Sequence, residues 1–596
     1  MGENQIDDSM IAKIGAALRT HVRLHMLFLD NNRITESGAA SVADCLKNKQ
    51  DLRVFNIDYN HIGVNGAAKV SEQLKNNYGL SKLYCDANVI GEEGCEKLAE
   101  CMEMMDSLKK VCIENNNIGD RGAIALSKAL EDNDTLLSLH LENNNISREG
   151  AYTLGEMISN KYKLSKLNLN SNPIGDEGFS RIARGIQDIE TLRIITLAST
   201  NITHSSMPVL SQSLANKRFL TKLLIDNNKL GPEGAKLLAK GLSANETLTN
   251  LHLANCQLGE EGTLDIAGIL QNKKNLLVLD MTNNKTGVNG CISVCKAIQH
   301  HTTLRELYFS NNMIGPDGAR HVAKVLESTK YIQEVWLSNN GVFPDGAAAL
   351  GKALQDKKYL EVLCLKRNDI GLSGVKELQA ALTNSKTVRI LDFAGNHIGD
   401  EGVKIIVQAL CNKQKQQLQT LIVADNKVTS VGAQMIAQLM EQCATLQELQ
   451  LQNNEIDNTG GTALVNQIKK RKIAKLDCDN NHLTGQILAD LLQMTPIQKL
   501  HLVKSTLSDA QVQPMANSLI KMRDLKQVYM SHNNLSNNAL GMLADALAVN
   551  VKIEEISMTH NDLSLPNGVK VIRALKNMTG LKKLSLNSCT LDQELL

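Results

Sequence analysis

The residues able to do chemistry recur in this chain at one interval. Asp30, Asp58, Asp86, Glu114 and Glu142 stand 28 residues apart. One carboxylate per repeat interval lacks the converging cage of oxygens that calcium needs. Such a row can instead attract a basic segment, with Lys82 and Lys110 alongside as partial neutralisers. The alternative is a solvated acidic face. A second set lies two residues before the acid position: Phe28, Tyr84, His140, His252, Tyr308, Trp336 and Tyr529. Aromatic side chains of this kind are enriched in binding hot spots. The candidate partner contacts are therefore Asp30, Asp58, Asp86, Glu114, Glu142, Tyr84, His252, Tyr308 and Trp336. His501, Tyr529, His532 and His560 form a further group, able to respond to pH or to hold a metal but spread over three successive repeats, and they read as ordinary surface. There is no phosphate loop, no HExxH and no GxSxG elbow. No catalytic residue, cofactor or metal is expected. Cys291 and Cys295 are four apart on one expected helix without histidine partners, the spacing of core neighbours rather than zinc ligands.

What must position these residues is a repeat. Units start at Leu24, Leu52, Leu80 and so on to Val388 at a constant 28 residues, then from Leu418 to Leu581 with small insertions and deletions, 21 in all. In the unit from Leu136, apolar residues at Leu136, Leu139 and Leu141 alternate as in a short strand with one face inward. Asn144 follows where the chain must leave the strand. The equivalent position is Asn in 17 of the 21 units, and Thr200, Cys256, Ser505 or Cys589 in the others. A buried amide there can bond the backbone of its own and the next turn, giving a ladder along the stack. Gly lies fourteen residues after the start in 15 of the first 16 units, with Ser206 the exception. It is expected to open the helix and to let it pack closely on the strand. The run that follows, such as Gly122–Leu130, is amphipathic and helical in period.

The pattern LxxLxLxxNxIxxxGAxxLAxAL resembles the ribonuclease-inhibitor subtype of leucine-rich repeat proteins, over about residues 5–591. The resemblance implies an α/β solenoid, a horseshoe of about 21 repeats of 28 residues, with parallel strands on the concave face and helices on the convex face. Strands stack about 4.8 Å apart and helices are about 10 Å wide, so such a stack bends towards its strands. Binding through the concave face is the family expectation, and the acids and aromatics above occupy its concave positions.

The remaining features bound the function. With 64 basic and 63 acidic residues the net charge is +1, which argues against nucleic acid or a membrane surface as partner. The start, MGENQIDDSM, has no signal-peptide pattern, Ile6 argues against myristoylation at Gly2, and no run is apolar enough to span a bilayer. The 13 Cys read as free thiols in a reducing compartment, and the sequons as accidents of an Asn-rich chain. Residues 1–23 are expected to be a helical N-terminal cap, with an amphipathic helix over 5–23. Residues 24–472 are the regular repeats, and 473–596 a less regular continuation. Irregularities fall at 199–206, at an insertion in 411–417, and over 469–510, where KKRK and Pro496 suggest either a hinge or drift. Only DQELL follows Leu591, so a final apolar edge is expected to need cover from a partner or another copy.

The resemblance thus implies a non-enzymatic protein-interaction scaffold, in a hetero-complex of the cytoplasm or cytoskeleton such as a ciliary axoneme assembly. Two alternatives are a soluble inhibitor wrapping a partner enzyme and a Ran-type GTPase-activating protein. The latter typically carries an acidic tail that has no counterpart here after Leu591.

Overall fold

A computed structural model describes residues 2–411, 417–471, 473–478, 480–483, 487, 490, 499–501, 508–520, 525–550 and 552–590. Much of the irregular stretch 469–510, including Pro496, lies outside these residues, as do the core of the 411–417 insertion and everything from Leu591. The chain forms two compact units, Met1–Asn312 and Met313–Leu596. No helix among the described residues is long and apolar enough to cross a membrane.

Each unit repeats one rung. Strands are three residues long, because only the LxL core of each repeat has the period of two that a sheet requires. In the first unit they run from Met26–Phe28 to Glu306–Tyr308, each parallel to and in register with the next, as in Ser138↔Lys166 and Leu139↔Leu167. In the second they run from Glu334–Trp336 to Lys583–Ser585 in the same way. The central residue of the strand points to the helices and is buried, as Leu83, Leu139, Leu251 and Leu363 are.

The turn residue behaves as a ladder. Asn144 Nδ2 donates to Leu141 O at 3.1 Å in its own repeat and to Ile113 O at 2.7 Å in the preceding one. Its Oδ1 accepts from Asn116 N at 2.9 Å. The amide therefore joins its own turn to the preceding one rather than to the next. Thr200 and Cys256 keep part of the pattern, with Thr200 Oγ1 donating to Leu197 O at 2.8 Å and Cys256 Sγ to Ile225 O at 3.3 Å. Among the described residues, the one just before the ladder position is left-handed in every repeat, with φ 57° at Asn115 and 53° at Asn143. Asparagine tolerates that region better than other residues with a side chain, which explains its frequency there.

The conserved-interval glycine has a different task from the one expected. Helices open three residues earlier, at Gly63, Gly91 or Gly119, where φ is positive. The N–H of Gly119 donates to Asn144 O at 2.9 Å, a bond to the next repeat. The glycine fourteen after the start lies inside the first helical turn. A Cβ built on Gly178 would stand 2.9 Å from Ala151 Cβ and 3.0 Å from Arg148 Cα, both in the preceding helix. It is small because neighbouring helices meet there, not because helix meets strand.

At the N-terminus the helix is shorter than expected, Asp8–Leu18, capped by Asp7 accepting from Met10 N at 2.9 Å. Residues before it pair onto the first repeat, with Ile6 N donating to Asn32 Oδ1 at 2.9 Å. At the far ends of several helices a buried lysine tip closes the preceding repeat. Lys217 Nζ donates to Gln187 O at 2.7 Å and Lys273 Nζ to Leu242 O at 2.8 Å. Burial pushes both ammonium groups down to about 8. None of the 13 cysteines is in a disulfide, and Cys291 and Cys295 are buried neighbours with their sulfurs 3.9 Å apart.

Candidate functional site: the open face of the sheet

The residues that flank each buried strand centre point away from the helices. Three rows result, one more than the two read from the sequence. The first row holds Lys82, Lys110, Ser138 and Lys166. The second holds Tyr84, Cys112, His140 and Asn168, and the third begins with the acids Asp30 to Glu142 just beyond the strands. The first row was foreshadowed only by Lys82 and Lys110. Its other members were missed, although the alternation that buries Leu83 also places both of its neighbours outside.

The acids are not a plain solvated stripe. Asp58 is 9% exposed, and its Oδ1 accepts from Asp86 N at 2.6 Å. Asp86 Oδ1 accepts in turn from Glu114 N at 2.5 Å. Asp58 and Asp86 thus each fasten the next repeat. Burial, with repulsion from Asp30 and Glu114, still pushes the Asp58 carboxyl up to about 6. Burial and the Asp58 charge push Asp86 to about 7. Lys110 counters both only in part, and its Nζ lies 4.8 Å from the centre of the Tyr84 ring. Glu114 differs. Burial alone would raise it, but bonds from His140 and Asn168 outweigh that and hold it below the usual range.

These shifts carry a sign. A carboxyl raised in the folded state contributes stability that is complete below its unfolded value near 3.8 and is lost as pH rises through about 7. Asp86→Asn keeps an oxygen for Glu114 N and removes the charge. The variant is expected to be more stable than the wild type at pH 8 by about 1–2 kcal/mol, a figure discounted for partial exposure. Denaturant unfolding should show the gap closing near pH 4. An equal gap at both pH values would contradict the burial of this charge.

Further along, Glu114 Oε1 accepts from Asn168 Nδ2 at 2.8 Å and lies 3.1 Å from His140 Nδ1. His140 Nε2 lies 2.7 Å from Ser138 Oγ. Serine, histidine and carboxylate stand here in the order of a nucleophilic relay. Ser138, however, is only 6% exposed. The network orients side chains on the face. Glu142 joins it through Asn168 Nδ2 at 2.9 Å.

Tyr308 and Trp336 are half-buried with their polar tips engaged, whereas Phe28 is exposed. Tyr308 OH donates to Glu306 Oε2 at 2.9 Å in the last strand of the first unit. Trp336 Nε1 donates to Glu334 Oε2 at 2.9 Å in the first strand of the second. His252 sits between Asp226 and Asp280, one of whose oxygens is 4.0 Å from its Nδ1. Neither aspartate was singled out from the sequence. In the C-terminal group, His532 and His560 stack with ring centres 3.9 Å apart, not in a strand but in the left-handed turns that follow. Away from the sheet face, a groove of about 420 Å³ runs between helices, lined by Lys128, Glu131, Thr153, Glu156 and Arg181.

A match to a family model agrees with this geometry. The family model described as leucine rich repeat matches residues 107–127, 132–155, 163–183, 216–239, 244–267, 300–323, 384–407, 414–437 and 442–465. No curated protein matches the chain. Among solved structures, the plant peptide hormone receptor RGFR1 in complex with RGF2 is similar at TM-score 0.38 and 14% identity, over 99% of this chain and 89% of that one. The ectodomain of GASSHO1/SCHENGEN3 from Arabidopsis thaliana gives 0.34 and 15%, over 97% and 77%. An internalin from Listeria monocytogenes gives 0.36 and 19%, over 69% and 89%. With its three-residue parallel strands, its asparagine ladder and its packed helices, this chain is a solenoid of leucine-rich repeats.

Proposed function

We propose that the chain is a non-enzymatic scaffold that binds another protein through the open face of its sheet, and that the first unit takes a basic segment. The observation that carries this reading is the acidic row. Asp58 and Asp86 are held above the normal carboxyl range by burial and by other acids of the row, Asp30 and Glu114 for Asp58 and Asp58 and Glu114 for Asp86, with Lys110 offsetting both in part. A lysine- or arginine-rich segment laid across the row would relieve that repulsion, which a neutral segment would not. Tyr84 in the first unit and Trp336 in the second offer apolar area with their positions fixed by neighbours.

Within this reading the repeats are of the ribonuclease-inhibitor-like subtype, and the chain is a subunit of a larger intracellular assembly, a ciliary axoneme complex in the form the resemblance suggests. Co-extraction with an insoluble cytoskeletal fraction would support that placement. A soluble one-to-one complex with a small basic enzyme would support the inhibitor reading in its place.

The test of the acidic row is charge reversal. Asp58→Lys with Asp86→Lys is expected to weaken capture of a basic partner at least about tenfold at low salt, since close charges across an interface couple by about 1.5 kcal/mol or more. The wild-type affinity should fall steeply with salt. An affinity unchanged by the reversal would remove the basic segment from the proposal.

A further inference from the structure

The open face of the first unit also brings together Asp226, His252 and Asp280, one from each of three successive repeats. The register sets them there: His252 pairs with Asp280 across neighbouring strands, and Asp226 lies two residues beyond Leu224, the partner of His252 on its other side. One potential ligand atom of each lies within 4.8 Å of the other two, and His252 Nδ1 is 4.0 Å from Asp280 Oδ2. We infer that this triad is a binding site for a first-row divalent cation of the zinc class, held by one imidazole nitrogen and two carboxylate oxygens.

Three observations carry the inference. The donor set is mixed nitrogen and oxygen, which suits zinc and its neighbours and not calcium. Both carboxylates are oriented from outside the cluster. Asp226 Oδ1 accepts from Ala254 N at 2.7 Å, and Asp280 Oδ1 accepts from Thr282 N at 2.9 Å. Each therefore keeps a second oxygen for a ligand while the backbone fixes its plane, the arrangement by which supporting bonds aim metal ligands. The positions two residues beyond His252 and Asp280 are short, Ala254 and Thr282, while Leu224 and Tyr308 flank the triad on the neighbouring strands. Ligands at zinc bond lengths stand about 3.3–3.5 Å apart in a tetrahedral site. The present spacing of up to 4.8 Å is wider, so the side chains must draw together as an ion binds.

Lys222 is the competing cation. It acts electrostatically on Asp226 and His252, but no salt bridge joins it to either aspartate. It therefore weakens a bound metal rather than replacing it, which gives the test two directions.

The test is calorimetric titration of the full, reduced chain with zinc(II), followed by cobalt(II) spectroscopy. One zinc per chain is expected in the wild type. His252→Gln and Asp280→Asn should each weaken binding at least tenfold, whereas Lys222→Met should tighten it several-fold. Bound cobalt should show ligand-field bands without a thiolate charge-transfer band, which separates this site from the cysteines. Matched thermal unfolding of the variants without metal shows that the fold is retained. No zinc binding, equal affinity in all variants, or a thiolate band would each overturn the assignment. The outcome is independent of the protein-binding reading, because the acidic row at Asp58 and Asp86 is left intact in every variant.

Discussion

Replacing Asn144 with alanine is expected to destabilise the first unit by about 3–5 kcal/mol. The amide gives two bonds to carbonyls and receives one from an N–H, all in a fully buried place. Alanine withdraws three partners at once, and each buried group left unpaired costs about 1–3 kcal/mol. The loss is not the same for every substitute. Thr200 shows that a hydroxyl can serve the same position, donating to the carbonyl of its own turn. Asn144→Thr should therefore cost less than half as much as Asn144→Ala. In a linear array each rung contacts only its neighbours, so the damage should be local. Hydrogen exchange should quicken most in the turns around Ile113 and Leu141. A loss below about 1 kcal/mol in denaturant unfolding would contradict the ladder as a main support of the stack.

Gly155→Ala should also destabilise, although alanine is the better helix former by about 1 kcal/mol. Gly155 lies in the helix Arg148–Ile158, facing the helix Gly175–Gly185. A Cβ there would come within 2.6 Å of Arg181 C and 2.7 Å of Ile182 N. Backbone cannot step aside as a side-chain tip can, so the two helices must separate. Overpacking of this kind costs about 1–3 kcal/mol with a small residue and more with a large one. We expect about 2 kcal/mol for Gly155→Ala and the loss of a cooperative transition for Gly155→Leu. Gly268 is the matched control. It is an exposed helical glycine with open space at its Cβ. Gly268→Ala should stabilise by about 0.5–1 kcal/mol. If both alanines shift the thermal midpoint the same way, close helix approach does not govern the position.

These two residues also show where sequence reasoning reaches its limit. Asn144 was legible because an amide recurring at one interval has few physical uses other than bonding backbone. The strand was legible because LxL alternates, and the helix because its apolar residues return with helical period. The task of the glycine at Gly178 was misjudged, since a small residue announces a close approach without saying what approaches. Gly155 and the helix-opening Gly119 passed unnoticed for the same reason, one needing space and the other a positive φ.

The site was half legible. Alternation placed Asp58, Asp86, Tyr84 and His252 on the open face. It gave no sign that Asp58 and Asp86 are fastened to the backbone of the following repeat, because that depends on side-chain rotation. Nor did it couple Asp226 and Asp280 to His252. Reading across three repeats at two different offsets would have found them, whereas reading one column at a time does not.

The central claim is that a protein partner sits on the open face of the first unit and leaves the helices bare. Lysine acetylation of the bound complex, read by mass spectrometry, tests this directly. Lys82, Lys110, Lys166 and Lys222 lie on the open face, while Lys128, Lys236 and Lys240 lie on helices and are exposed. A bound partner is expected to slow modification of the first set and to leave the second unchanged. Protection of the helix lysines, with Lys82 and Lys110 as reactive as in the free chain, would contradict it.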